Sequence, residues 1–207
     1  KIASKTWKYF KDNMINYLPV DNYQDDRKEK VIKRTSPTNI GLEILSAIAS
    51  YDLGFESLED TVILITNIIN TIERLDKWNG HLYNWYDIET LKPVIPLDIS
   101  SVDSGNLVGY LYTAKSFLIN SKKLLINSYL AKIDIKNKKE NEKKSQLKIN
   151  SKKEIDNKKS LLIDIDLKEI TKNVDLTIQK IQSIIDNTDF SKLYNSEIEL
   201  FSIGFNI

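Results

Sequence analysis

The sequence predicts an all-α chain built of antiparallel helical pairs, and three observations predict it. Apolar residues recur at intervals of three and four through most of the 207 residues, the spacing that lines one face of a helix. Helix-start signals stand at the head of the apolar stripes, at Ser36-Pro37 and at Ser57. All four prolines and five of the six glycines lie between Pro19 and Gly109, so the periodic stretches beyond are almost free of breakers.

In chain order, Trp7, Phe10, Met14 and Tyr17 predict one face of a first helix that stops near Pro19. Ser36 caps free amides and Pro37 suits the first helical position, so a second helix begins there, lined by Ile40, Ile44 and Ile48 and closed by Gly54. Ser57 with Asp60 three residues on resembles a capping box, and Leu58, Val62, Ile65, Ile69, Ile72 and Leu75 carry the next stripe towards a stop at Asn79-Gly80. Another helix starts between Ser101 and Asp103 and carries Leu107, Leu111, Leu118 and Leu125. Leu167, Ile170, Val174, Ile178, Ile181 and Ile185 mark a last long helix. Only the end differs: Ile198, Leu200 and 201–205 predict a short β-hairpin around Gly204.

Composition excludes several functions. Thirty basic against 29 acidic residues leave a formal charge of +1, no global attraction for nucleic acid or an anionic membrane. The absence of cysteine removes disulfides, thiolate nucleophiles and sulfur-ligated zinc, and a single histidine, His81, rules out a site with several imidazoles. No metal and no cofactor is expected. No run of about 18 apolar residues occurs and lysines punctuate the start, which reads as a soluble, cytoplasmic chain without a signal peptide.

Charge is uneven, and this divides the chain. Residues 132–160 hold eleven lysines against five acids and no aromatic residue, too little apolar surface to offset ordering entropy. They read as a solvated helix extension or a disordered insertion. A nucleic-acid or phospholipid tether is the rival reading, but the stacking aromatics of single-strand binders are missing. Residues 1–131 then hold the first helices and their loops, and 161–207 a long helix with a short β segment.

Three polar segments interrupt the helical pattern: 19–26 leading into 34–39, 80–87, and 100–107. In an antiparallel array alternate loops gather at one end, where chemistry can sit. The segment His81-Leu82-Tyr83-Asn84-Trp85-Tyr86-Asp87 combines three aromatics with an imidazole, an amide and a carboxylate. Flat apolar faces beside directional hydrogen-bonding groups suit a carbohydrate; equally, such rings plug the end of a helical core. His81 reads as a general base, a substrate donor or a structural loop residue. Asp103, Ser104 and Asn106 at a helix start serve as N-caps, ligand groups or both. Arg34 can grip a carboxylate or phosphate, or pair with Asp87 or Asp103. Asp25-Asp26 reads as a solvated turn.

Arg34-Thr35-Ser36-Pro37-Thr38-Asn39-Ile40-Gly41, the segment Gly80 to Asp87, and Ser101-Val102-Asp103-Ser104-Gly105-Asn106-Leu107 resemble, in that order, the start of the cyclisation domain of the cyclic β-1,2-glucan synthases. Asp21-Asn22-Tyr23-Gln24 and the stretch from Asp189-Phe190 to Asn206 resemble further parts of that domain; the lysine-rich stretch departs from it. The resemblance implies an (α/α)6 barrel in a membrane-associated bacterial enzyme that makes glucan from UDP-glucose and closes it into rings by transglycosylation. About five helices fit in this chain, against twelve in the barrel. The implied catalytic acid and base lie outside it, with Asp87 and Asp103 the only weak candidates within.

The expected function is therefore a glucan-binding part of a cyclising domain, inactive alone, whose parent sits at the inner membrane. Arg34, Asn39, His81, Asn84, Trp85, Tyr86, Asp87, Asp103, Ser104 and Asn106 are the expected substrate-binding residues, and a β-linked glucan or glucooligosaccharide the expected partner. The alternatives are a non-catalytic helical interaction module and the decayed product of a broken synthase gene.

Overall fold

A computed structural model describes residues 1–24, 26, 30–144 and 152–207. Helix α1 spans Ile2–Asp12 and is followed by strands β1 (Met14–Ile15), β2 (Leu18–Pro19), β3 (Asn22–Tyr23), β4 (Val31–Ile32) and β5 (Arg34–Thr35). Then come α2 (Pro37–Asp52), α3 (Leu58–Arg74), β6 (Lys77–Trp78), β7 (His81–Leu82), β8 (Tyr86–Asp87) and β9 (Asp98–Ser100). Two long helices, α4 (Ser101–Lys144) and α5 (Lys152–Asn187), lead to a 3-10 turn at Phe190–Leu193 and to β10 (Tyr194–Asn195), β11 (Leu200–Phe201) and β12 (Gly204–Asn206). The predicted all-α class stands. Helix α2 packs on α3 and α4, and α5 packs on the same two, so four helices surround one core with α1 laid against α2.

The core is the set of stripes read from the sequence. Ile40, Ile44, Ile65, Ile69, Ile72, Leu111, Leu118 and Ile181 are fully buried. Both N-caps form as expected: Ser36 Oγ accepts from Asn39 N at 3.2 Å, and Ser57 Oγ from Asp60 N at 3.1 Å. Close approach of α2 to α4 depends on Gly41, where a Cβ would run into the Tyr110 ring.

Three boundaries differ from expectation. Helix α1 ends at Asp12, so Met14 and Tyr17 leave its face: Asn16 and Tyr17 take positive φ (53° and 61°) and turn β1 back onto β2 as a two-residue hairpin. Helix α3 ends at Arg74, because Lys77 Nζ donates to the carbonyls of Ile72, Glu73 and Leu75 and satisfies the last turn. Asn79-Gly80 (φ 45° and 81°) is instead the turn of the β6–β7 hairpin. At the C-terminus the hairpin lies earlier than predicted: β10 pairs with β11, and Asn195 Oδ1 accepts from Glu197 N and Ile198 N in the turn. Gly204 starts β12, which pairs with the distant β9. The lysine-rich 132–160 stretch, expected to be a solvated helix extension or a disordered insertion, includes residues 145–151, which lie outside the described residues; the described backbone on either side of them is helical.

Candidate functional site

The antiparallel order brings the starts of α2 and α4 to the end where α3 and α5 finish. Strand pairing ties the loops there: β5 runs against β8 with Arg34 opposite Asp87 and Thr35 opposite Tyr86. Asn84 N donates to Asp98 O at 2.8 Å, linking the aromatic segment to the strand that enters α4.

Asp21 is the centre of this end. It follows the buried Leu18 and Val20, and its own N–H donates to Ile32 O. Its Oδ2 accepts from Arg34 Nε and Nη2, both at 3.1 Å, and from Asn22 Nδ2 at 3.2 Å; its Oδ1 accepts from Asn39 Nδ2 at 3.3 Å. Arg34 in turn lies on Trp85, its Cζ 4.0 Å from the ring centroid, at cation–π distance. One residue before Asn39, Thr38 Oγ1 accepts from Asn106 Nδ2 at 3.4 Å. A continuous chain of contacts therefore joins Trp85, Arg34, Asp21 and the starts of α2 and α4. Arg34 finds its carboxylate in Asp21, not in Asp87 or Asp103.

The other candidates have structural partners. His81 is buried, with Nδ1 2.9 Å from Ser104 Oγ and Nε2 3.0 Å from Asp189 O. Nε2 faces a carbonyl and so donates; in the neutral ring Nδ1 then accepts from the Ser104 hydroxyl. The Phe190 ring packs edge-on against the imidazole at 5.1 Å. Tyr86 is fully buried; its hydroxyl donates to Asp76 O at 2.5 Å and accepts from Tyr83 N at 2.9 Å, and burial raises its pKa. Asp87 Oδ1 accepts from Thr90 N at 2.7 Å, Glu89 N at 2.9 Å and Thr90 Oγ1 at 3.0 Å, bonds that hold its pKa below the ordinary value, those from Thr90 first. Asp103 stands in the first turn of α4, its N–H donating to Ser100 Oγ at 3.1 Å. Among the described residues no side-chain partner occupies its carboxylate.

Beneath this network lies Glu43, one helical turn beyond Asn39. It is completely buried, neither carboxylate oxygen has a hydrogen-bond partner among the described residues, and burial pushes its pKa up to about 8. Tyr9 sits near both acids: its pKa is raised by burial first and then by the charges of Asp21 and Glu43. Sequence reasoning quoted Asp21 only within a motif and missed Glu43, although an acid within the stripe Ile40, Ile44, Ala47 was a visible anomaly.

Chemically, this end offers an aromatic ring, two carboxamides, a hydroxyl and a guanidinium whose charge is balanced. That set suits the apolar faces and hydroxyl rim of a neutral sugar. Of the candidate carboxylates, Asp21 is occupied by Arg34 and Asp87 by its turn, so Asp103 alone is open. Glycosidic cleavage normally requires two carboxyl groups about 5 to 9.5 Å apart. Two cavities, of about 160 and 360 Å³, lie on either side of Trp7 at the opposite end of α2. Among the described residues no group of three or more acidic or imidazole side chains is placed to hold a metal, and no helix is long and apolar enough to cross a membrane.

No family model matches the chain. Its sequence is 43% identical over 119 residues, 56% of the chain, to cyclic β-1,2-glucan synthase NdvB of Rhizobium meliloti, of whose length the match spans 4%. The resemblance read from the polar segments is thus found in a curated relative. Among solved structures, an endo-β-1,2-glucanase from Chitinophaga pinensis, in complex with sophorotriose and glucose, superposes on 94% of the chain with a TM-score of 0.63 at 14% identity. Candidate glucoamylases from Bacteroides caccae and Bacteroides fragilis follow with TM-scores of 0.61 and 0.57, each at 14% identity and covering 93% and 95% of the chain. The chain spans 37% to 39% of these structures, so it has the fold of part of a glucoamylase-like helical barrel.

Proposed function

We propose that this chain supplies a glucan-binding end of a cyclic β-1,2-glucan synthase-like barrel, holding glucosyl units for a glycosyl-transfer reaction that it does not carry out alone. One observation carries the reading: Arg34 stacked on Trp85 and anchored by Asp21, at the end where Asn39, Asn106 and the open carboxylate of Asp103 are gathered. Relatedness to NdvB supports the linkage class, and Trp85 is the group expected to stack on a sugar ring. Tyr86, His81 and Ser104 act one layer behind, fixing the loop that carries Trp85 and the turn that starts α4.

The test is calorimetric titration of a linear β-1,2-glucooligosaccharide into the chain and into Trp85→Ala. Loss of one aromatic stacking contact predicts affinity about tenfold weaker. Equal affinity of the two proteins removes Trp85 from the site. The chain is also expected to show no turnover of linear glucan; ring formation or hydrolysis would move catalysis onto its own residues, with Asp103 as first suspect.

A further inference from the structure

We infer that Asp21 is a specificity-determining residue: by neutralising Arg34 and holding it against Trp85, it reserves this end of the protein for uncharged saccharides and turns anionic ones away. The inference rests on the glucan-binding reading. A guanidinium presented on an aromatic ring is ordinarily a fork for carboxylate or phosphate. Here Nε and Nη2 both donate to Asp21 Oδ2, while Asn39 and Asn22 hold the same carboxylate, so the guanidinium's charge is balanced and one of its two donating edges is taken from within the chain. The surrounding charge reinforces this. Lys33, next in sequence, is paired with Glu89 at 2.7 Å, and Arg34, which stands opposite Asp87 in the β5–β8 pairing, is paired with Asp21. An anionic ligand therefore meets no unbalanced positive charge and is repelled by the Asp21 carboxylate that already holds Arg34, and like charges brought together at a binding surface are a means of rejection. Hydroxyl groups escape that penalty and still find donors and acceptors in the carboxamides of Asn39 and Asn106.

The experiment compares a neutral β-1,2-glucooligosaccharide with its C6-oxidised, carboxylate-bearing analogue on the wild-type chain, Asp21→Asn and Asp21→Glu, by calorimetry at constant ionic strength. Wild type should favour the neutral ligand. Asp21→Asn, similar in shape but without the charge, should narrow that preference about tenfold by freeing Arg34, and Asp21→Glu should restore it. An unchanged preference in Asp21→Asn overturns the proposal while leaving the glucan reading intact. If wild type binds neither ligand, the glucan reading fails and this specificity role falls with it. A readout without ligand separates the positioning role: exchange of the Arg34 Nε proton, followed by NMR, should be slow in wild type and Asp21→Glu and faster in Asp21→Asn. Equal exchange in all three shows that Asp21 does not hold Arg34.

Discussion

Glu43 offers the sharpest quantitative test of the packing. Its carboxyl is fully enclosed by α2 and the segments covering it, both oxygens lack partners among the described residues, and its pKa moves from 4.5 to about 8. Burial of an unpaired carboxylate is so unfavourable that the group takes up a proton instead. Because the folded protein holds this proton more tightly than the unfolded chain, the group's contribution is fully present below pH 4.5. It is lost progressively as pH rises to about 8 and stays constant beyond. At about 1.4 kcal/mol per pH unit, the window corresponds to a loss of about 5 kcal/mol, much of the stability of an ordinary domain. Glu43→Gln keeps the shape and removes the ionisation. Urea unfolding followed by circular dichroism at pH 5, 6, 7, 8 and 9 should show wild type losing stability steeply across this window and the variant losing much less. At pH 5, where Glu43 is protonated and as unpaired as the amide that replaces it, the two proteins should be of similar stability to within about 1 kcal/mol, and the variant should be the more stable above neutrality. Parallel pH profiles for the two proteins would refute the reasoning and mean that Glu43 is ionised and solvated or paired.

Other substitutions test other parts of the framework. Gly41→Ala places a methyl against the Tyr110 ring and should cost about 1 to 3 kcal/mol in urea unfolding by forcing α2 from α4. His81→Ala removes both imidazole bonds from a buried site and should destabilise by about 2 to 4 kcal/mol while leaving the helices in place by circular dichroism; a neutral result would show that the contacts with Ser104 and Asp189 carry no load. Asp87→Ala should loosen the turn through Thr90, seen as faster amide exchange at Glu89 and Thr90, without the loss of glucan affinity expected of Trp85→Ala.

Much of the helical framework was legible because apolar periodicity and capping are local. Ser36 and Ser57 cap the helices that their neighbours announced, and Ile65, Ile69 and Ile72 are buried as their spacing required. Boundaries set by backbone sign were less legible. Periodicity ran Met14 and Tyr17 onto α1, but positive φ at Asn16 and Tyr17 folds the chain back after Asp12. Gly80 was read as the end of a helix, whereas it is a hairpin turn tucked against the Asn187 carbonyl, where no Cβ fits.

The sequence by itself determined the all-α class, the stripes that form the core, and which polar segments stand at helix ends, since each depends on residues within a few positions of one another. Only the tertiary structure decided which of those polar groups meet. Arg34 reaches Asp21 thirteen residues away and Trp85 about fifty away because β5 pairs with β8, and His81 meets the Asp189 carbonyl because α5 ends beside β7. Such pairings are chosen by the packing of whole helices, whose buried area far outweighs any single polar contact, so side-chain chemistry identifies the participants and the global fold assigns their partners.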